Sequence, residues 1–287
     1  MSTVATTLRL AEQLGLDPGA ALLDGPWATV DLLTEWSLNT RDDARGALRF
    51  GTWFEAGDPA VDAFVARRTC PALSALRARL PLPTSEGVGL SFRPDRPPSA
   101  RWWQLARDGE GPALWAAASD AWPAFAPLGG LLARIGGPER AVAIGADAEA
   151  GALVRSTFYV ALPTPRSALE ALDELGVEAS EGARRFMRAL VGWDEVVAGA
   201  REWPKLWLGR SYDSEGAGAG LKLYHFIRGM QRPPSEDELI ALVRPSEVVA
   251  RLWRDEAARG NACRIVGLTL PERAPADPRW TVYLAPR

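Results

Sequence analysis

The chain has 287 residues, of which 47% are apolar and 24% charged, and its formal net charge at pH 7 is −3. This composition supports a large folded core and differs from that of a disordered chain. Acidic and basic residues are mixed along the sequence without a basic stripe, which argues against nucleic acid as the main partner. No stretch approaches the ~20 apolar residues of a membrane-spanning helix, so no membrane partner is expected.

The N-terminal segment MSTVATTLRLAEQLG lacks a basic region followed by an apolar run, and we therefore expect no signal peptide. The two cysteines, Cys70 and Cys263, lie far apart and fit no metal-binding or redox spacing. We expect both to be buried thiols in a protein of the reducing cytoplasm.

Helical and strand-like stretches alternate along the chain. Helices are predicted over 3–15, 24–33, 59–81, 112–136, 165–176, 180–200 and 235–258. Strand pairs are predicted over 34–40 and 46–56, 87–94 and 100–107, 139–146 and 152–162, 204–212 and 221–228, and 262–270 and 278–285. A polar turn at 41–44, a proline-rich loop and a glycine-rich loop at 215–220 separate the strands of the first, second and fourth pairs.

A helical stretch precedes each strand pair, which predicts an α+β protein of five α–α–β–β repeats in a single domain over residues 1–287. Ten antiparallel strands joined by short turns favour a closed ten-stranded β-barrel, because closure removes exposed strand edges. The helices would then ring the barrel and cover its apolar outer face. An α+β protein with an open sheet is the alternative.

The second strand of each pair carries an aromatic residue near its middle and a cation two or four positions before it. The aromatic residues are Trp53, Trp103, Tyr159, Tyr224 and Tyr283. The cations are Arg49, Arg101, Arg155, Lys222 and Arg279. Because residues at even spacing share one face of a strand, all five strands are predicted to present a cation and a ring on the same face.

Such a face is typical of a pocket for an anion attached to an apolar or cation-forming group. Guanidinium groups hold phosphate oxygens bidentately. Aromatic faces stabilise a carbocation through their quadrupoles and exclude the water that would quench it. The alternative is that the cations lie at strand ends in solvent while the rings pack against helices.

Glu35 belongs to a polar face of the first strand. Alternation places Glu35, Ser37 and Asn39 on one face and Trp36 and Leu38 on the other. A polar face on a central strand is typical of a wet barrel interior, where a carboxylate could act as a general base or orient an acceptor N–H or O–H. An exposed glutamate at a strand end is the alternative.

Signals for a metal or for a phosphate loop are weak. Asp42 and Asp43 resemble half of an aspartate-rich magnesium motif, but the remaining acids are absent and a turn is the better interpretation. The loop from Gly216 to Gly220 lacks the Lys-Ser/Thr of a phosphate loop. We therefore predict no metal site and no required cofactor, with magnesium not indicated.

Two strand motifs resemble those of a known family. Thr34-Glu35-Trp36-Ser37-Leu38, followed by Leu48-Arg49-Phe50, looks like the first strand pair of the aromatic prenyltransferases with the ABBA barrel, such as the dimethylallyltryptophan synthases and the soluble bacterial aromatic prenyltransferases. Leu221-Lys222-Leu223-Tyr224 resembles the recurrent Lys-x-Tyr motif of that family. Five α–α–β–β repeats are also the architecture of the family.

The resemblance implies transfer of a dimethylallyl or longer prenyl group from an allylic diphosphate to an electron-rich aromatic acceptor, either a small molecule or a peptide. It implies that Glu35 assists the acceptor, that Arg49 and Lys222 hold the diphosphate and that Tyr224 shields the allylic cation. Arg101, Arg155 and Arg279 are assigned to the diphosphate by repeat position, and Trp53, Trp103, Tyr159 and Tyr283 to the shield. The acceptor would be indole, as in tryptophan, or a phenol.

Four repeats depart from the family pattern. Thr157 and Thr281 stand where Lys-x-Tyr would place a lysine, and Trp53 and Trp103 stand where tyrosine is expected. These departures leave a second hypothesis, in which the barrel binds an apolar small molecule or peptide without chemistry.

Overall fold

A computed structural model describes residues 3–28, 34–39, 48–81, 83–94, 96–163, 189, 206–227, 233–270 and 279–286. The predicted turn at 41–44 and the predicted helix 165–176 lie outside the described residues, as does the predicted helix 180–200 apart from residue 189.

Antiparallel strands form a closed barrel, which confirms the predicted fold class and makes the open-sheet alternative wrong. The strands are β1 Thr34–Asn39, β2 Leu48–Glu55, β3 Ser85–Arg93, β4 Arg96–Leu105, β5 Ala141–Glu149, β6 Ala152–Leu162, β7 Leu206–Asp213, β8 Gly218–Phe226, β9 Asn261–Leu270 and β10 Arg279–Pro286. Each strand pairs with its neighbours in sequence, and β1 pairs with β10 to close the ring. Closure leaves the barrel without an unpaired edge.

Helices precede the first, second, third and fifth strand pairs. In the described part of the chain they are α1 Thr3–Gln13, α2 Pro59–Arg68, α3 Pro71–Arg77, α4 Gly111–Ala121, α5 Leu128–Ile135, α6 Glu236–Val243 and α7 Glu247–Ala258. None of them is both long and apolar enough to cross a membrane.

Each of the three long helices predicted over 59–81, 112–136 and 235–258 is in fact two shorter helices. The breaks fall at Cys70-Pro71, Trp122-Pro123 and Arg244-Pro245. A proline disfavours helical geometry in the residue before it, so each of these dipeptides interrupts the helix. Cys70 and Trp122 are extended, and Arg244 adopts a left-handed conformation with φ 50°. The breaks supply the paired helices of the second, third and fifth repeats.

The predicted helix 24–33 is wrong where the structure describes it, since Ala20–Leu22 and Pro26–Ala28 form single 3₁₀ turns. This conformation buries Trp27, whose Nε1 donates to the carbonyl of Leu22 at 2.6 Å. The Trp27 ring packs edge-on against Phe50 with the ring centroids 4.7 Å apart. The free energy gained by burying the Trp27 ring therefore outweighs the gain from continuing the helix.

The proline-rich loop predicted between the second pair of strands is also wrong, because β3 and β4 meet at a tight turn and Pro97 and Pro98 lie inside β4. β4 pairs with β5 only from Ala100 onward. Proline, which lacks an N–H, is accommodated at such a strand end.

The outer face of the barrel is apolar and forms the core with the helices. Large fully buried side chains on this face include Phe50, Phe92, Trp102 and Phe158. Cys70 and Cys263 are buried free thiols, as predicted. His225 is also buried, and burial lowers its pKa to about 3. The opposite face of every strand is left for the lumen.

One buried ion pair joins the first and last helices beside the β1–β10 seam. Arg9 on α1 donates to both carboxylate oxygens of Glu256 on α7, at 2.7 and 2.9 Å. The Glu256 side chain is 1% exposed, and Asn261 also donates to it. A buried carboxylate that loses its guanidinium partner is strongly unfavourable.

Replacing Arg9 with alanine should lower the free energy of unfolding by about 2–3 kcal/mol, because Glu256 would keep only weaker partners. Urea unfolding measures the change. The matched control is Arg79→Ala, which removes an arginine from the exposed pair with Asp120 and should cost about 1 kcal/mol or less. Equal losses in the two variants would contradict a stabilising role of the Arg9–Glu256 ion pair.

Candidate active site

The barrel lumen contains two adjacent cavities. The larger, of about 380 Å³, is lined mainly by aromatic and small side chains. The smaller, of about 200 Å³, is lined mainly by cations and hydroxyls. Residues lining both cavities are Ser37, Arg49, Arg101, Thr157, Tyr159 and Tyr224. The two cavities are therefore adjacent, and the lumen has an apolar end and a cationic end.

Four cations from alternate strands converge at the cationic end, where Lys222 is buried and the three arginines are half-buried. Arg49 lies on β2, Arg101 on β4, Arg155 on β6 and Lys222 on β8. Asp147 on β5 lies between two of them, accepting from Arg101 Nε at 3.0 Å and from Arg155 Nη2. Four cations and one carboxylate leave a surplus of three positive charges.

The ionisation of these groups reflects that surplus. Burial and the neighbouring Arg101 and Arg155 lower the pKa of Arg49 to about 10. Burial, followed by Arg49 and Arg101, lowers the pKa of Lys222 well below its usual value. Burial opposes ionisation of Asp147, but the guanidinium groups outweigh it and hold the pKa of its carboxyl below the usual range. An anion is the ligand that would relieve this repulsion.

Aromatic rings form a belt next to the cations. The ring centroid of Tyr224 lies 5.6 Å from that of Tyr159 and 6.0 Å from that of Tyr283. Lys222 Nζ lies 4.9 Å from the ring centroids of both Tyr224 and Tyr283, and it donates to Tyr283 Oη at 2.5 Å. Burial raises the pKa of Tyr283 to about 12, so its phenol stays protonated at neutral pH. The belt thus meets the cationic end through Lys222.

Two tryptophans extend the apolar end. Trp53 and Trp103 pack edge-on with their centroids 5.2 Å apart, and Arg101 Cζ lies 5.6 Å from the Trp103 ring.

Glycines on the inner face leave the room that the lumen side chains occupy. Gly89, Gly145, Gly209 and Gly267 pair directly with Arg101, Thr157, Lys222 and Thr281 in the second to fifth repeats. A Cβ at Gly209 would lie 3.1 Å from both the Tyr159 and Tyr224 rings, and one at Gly267 would lie 2.7 Å from Lys222 Cε. Side chains at Gly209 and Gly267 would therefore collide with side chains that line the lumen.

The first repeat inverts this arrangement. There the glycine is Gly51 on β2, and its partner on β1 is Glu35. Glu35 therefore stands where the other four repeats have glycine, and its half-buried side chain lines the larger cavity. The fivefold pattern is broken at one position, and that position carries a carboxylate.

All of the predicted site residues line the lumen. The larger cavity contains Glu35, Arg49, Arg101, Trp53, Trp103, Tyr159, Tyr224 and Tyr283, and the smaller contains Arg155, Lys222 and Arg279. Arg279 is exposed, as expected under the alternative in which a cation lies at a strand end in solvent. The other four cations do not lie in bulk solvent.

Sequence reasoning missed four other residues that line the lumen: Asp147, Trp207, Phe226 and Arg264. Trp207 and Phe226 stack with centroids 4.6 Å apart. Phe226 follows Tyr224 by two positions, so alternation could have found it. Asp147 and Trp207 lie on first strands of their pairs, where only Glu35 was considered. Arg264 lies beside the β9–β10 bulge, which simple alternation does not anticipate.

No group of three or more histidine, cysteine, aspartate or glutamate side chains among the described residues could hold a metal ion.

Solved structures with the same barrel are found at low sequence identity. A 6-dimethylallyltryptophan synthase from Micromonospora olivasterospora, in complex with DMASPP and Trp, is 18% identical with a TM-score of 0.73, covering 99% of this chain and 96% of that one. A 5-dimethylallyltryptophan synthase from Streptomyces coelicolor is 20% identical with a TM-score of 0.69, covering 99% and 97%. AnaPT from Neosartorya fischeri is 13% identical with a TM-score of 0.62, covering 88% and 77%.

No protein-family model and no curated protein matches the sequence. The likeness thus concerns the fold: the chain has the barrel of the aromatic prenyltransferases, as its strand motifs predicted.

Replacing Gly51 with alanine should displace the Trp103 indole, because a Cβ there would overlap the ring. We expect a loss of about 1–3 kcal/mol in unfolding free energy and a changed tryptophan fluorescence spectrum. The control is Gly129→Ala in helix α5, where the new Cβ would make an ordinary contact of 3.5 Å with Trp115. An unchanged spectrum and stability in Gly51→Ala would show that the inner glycines do not position the rings.

Proposed function

We propose that this protein is an aromatic prenyltransferase that moves a dimethylallyl or longer prenyl group from an allylic diphosphate to an electron-rich aromatic acceptor. The observation that carries the proposal is Lys222, which lies among the buried cations and within 4.9 Å of two tyrosine rings. A diphosphate held by the cations would place its prenyl chain directly against the rings. The lumen thus fits a ligand that is anionic at one end and apolar at the other.

Low-identity structures with the same fold support the proposal. The Micromonospora and Streptomyces enzymes are dimethylallyltryptophan synthases, and both have structures in complex with DMASPP and Trp. Their acceptor makes the indole of tryptophan, free or in a peptide, our first choice, with phenols as the second.

The proposed donor site neutralises the leaving group. When the allylic carbon–oxygen bond breaks, its electron pair leaves with the diphosphate, whose charge grows at the bridging oxygen. Arg49, Arg101, Arg155 and Lys222 would stabilise that charge in a site shielded from bulk water, where such interactions are strong. Ser37 and Ser91 pair in register with Arg49 on either side, and their hydroxyls have no hydrogen-bond partner among the described residues. They would supply further donors, and Arg279 would act at the cavity mouth.

The proposed shield stabilises the allylic cation. Tyr159, Tyr224 and Tyr283 present a continuous belt of rings, whose faces attract positive charge. Trp53 and Trp103 would line the acceptor side and stack against an aromatic substrate. Together these side chains would exclude the water that would otherwise capture the cation.

Glu35 would act on the acceptor. A π-electron pair of the acceptor ring forms the new carbon–carbon bond, and transfer of a proton from that carbon to the released diphosphate restores aromaticity. A carboxylate that accepts a hydrogen bond from the acceptor N–H or O–H raises the electron density of the ring and orients it for attack.

The protein's own cations would take the part that a metal plays in other diphosphate chemistry, so we propose that magnesium is not required. The cytoplasmic location stays a prediction from the sequence.

Incubation with dimethylallyl or geranyl diphosphate and a panel of tryptophan, tryptophan-containing peptides and simple phenols tests the proposal by mass spectrometry. We expect an acceptor whose mass increases by one prenyl group and release of diphosphate. In Glu35→Gln, turnover should fall roughly 100-fold with donor binding unchanged, because the charge at the acceptor is lost.

The matched control is Glu55→Gln, an exposed glutamate at the end of β2, which should keep full activity. Absence of product across the panel, together with binding of apolar ligands but not of diphosphates, would favour the non-catalytic barrel instead.

Removal of divalent metals should leave activity in place. We expect initial rates in excess EDTA to stay within about twofold of those with magnesium, since surplus cations on the strands neutralise the leaving group. Rates are measured after metal removal, with and without added magnesium. A loss of activity that magnesium restores would contradict this prediction.

A further inference from the structure

Asp147 is the feature of the donor site that the proposed reaction does not explain. A carboxylate in the middle of an anion-binding cluster repels the anion, and it also occupies hydrogen-bond donors that could bind phosphate. Asp147 nevertheless accepts from both Arg101 and Arg155 and is 8% exposed. Asp147 should therefore have a role in the donor site when no diphosphate is bound.

We propose that Asp147 is the resident counter-ion of the donor site, a positioning residue that holds Arg101 and Arg155 apart and limits how tightly the cluster binds diphosphate. This inference rests on the proposed function of the same site.

The register of the strands fixes the bridge. Arg101 on β4 pairs directly with Asp147 on β5, and Asp147 pairs directly with Arg155 on β6. The three side chains thus occupy neighbouring positions in one cross-strand row on the inner face. Because each arginine is tied to the carboxylate between them, their remaining N–H groups face the cavity in a fixed arrangement. A ligand then meets arginines that are already ordered.

Charge balance gives the second argument. Without Asp147 the cluster would hold four like charges, and repulsion would disfavour the charged form of the lysine among them. Lys222 already has a pKa well below its usual value, through burial and then through Arg49, Arg101 and Arg155, and Asp147 opposes that shift. The groups around Lys222 are Arg49, Arg101, Asp147, Arg155, Tyr159, Tyr224, Arg279 and Tyr283. Asp147 is the carboxylate in this set, and its charge raises the pKa of the lysine.

The same charge favours release of the product. Inorganic diphosphate carries more negative charge than its ester and would bind four unopposed cations tightly. A fixed carboxylate weakens the product complex through repulsion, so that the site can empty after each turnover.

The test compares binding of inorganic diphosphate to the whole protein and to Asp147→Asn by calorimetry. Asparagine keeps the shape and one acceptor oxygen but removes the charge. At about pH 6 we expect Asp147→Asn to bind diphosphate roughly tenfold more tightly and with a steeper salt dependence. Unchanged or weaker binding would overturn the proposal.

The pH dependence gives a readout that a merely structural role would not move. Loss of the carboxylate lowers the pKa of Lys222 further, so the pH at which diphosphate binding weakens should move to lower pH in Asp147→Asn. Asp62→Asn is the control, since it also removes a carboxylate paired with an arginine but lies outside the barrel. Its affinity and its pH profile should match those of the unsubstituted protein.

A double variant keeps the test valid if Asp147→Asn does not fold. Asp147→Asn/Arg155→Gln removes both partners of one buried pair, which is far less disruptive than removing one, and it restores the surplus of three charges. Its pH profile should match that of the unsubstituted protein, and a profile shifted to lower pH would overturn the proposal. Failure of the unsubstituted protein to bind diphosphate would instead count against the proposed donor site itself.

Discussion

The structure depends on holding four like charges together inside a barrel. Burial and mutual repulsion both oppose this arrangement, as the lowered pKa values of Arg49 and Lys222 indicate. The barrel meets this cost by fixing each cation on a different strand, with a paired strand between neighbours. Rigid spacing prevents collapse, the carboxylate of Asp147 offsets one charge, and the remaining surplus is left for an anionic ligand.

The second constraint is room for side chains inside the lumen. Glycines on the first strands of the second to fifth repeats provide it. Inner glycines leave room for the large rings and cations that project from the second strands, so the lumen is crowded on one strand of each pair and open on the other. The exception at Glu35 can be explained by where its side chain lies. Its side chain stands at a position that is glycine in the other four repeats, and there it lines the larger cavity.

Much of the fold could be predicted because it follows from local periodicity. Even spacing on one strand predicted which side chains share a face, and the repeat predicted the number of strand pairs. Helix breaks at X-Pro dipeptides such as Arg244-Pro245 were missed because apolar periodicity continues across them. Asp147 was missed because its importance arises from cross-strand register with Arg101 and Arg155, which no pattern within one strand reveals.

Register also explains the threonines that replace the expected lysines. Thr157 lies in the cross-strand row of Trp103, and Thr281 in that of Tyr224, so lysines there would fall among the rings. The cations of these repeats stand two residues earlier, which puts Arg155 in the row of Arg101 and Arg279 in the row of Lys222. In these two repeats the longer spacing keeps each arginine level with the cation of the repeat before it. The apparent departures from a Lys-x-Tyr repeat therefore shift the cation along its strand by one inner-face position and do not remove it.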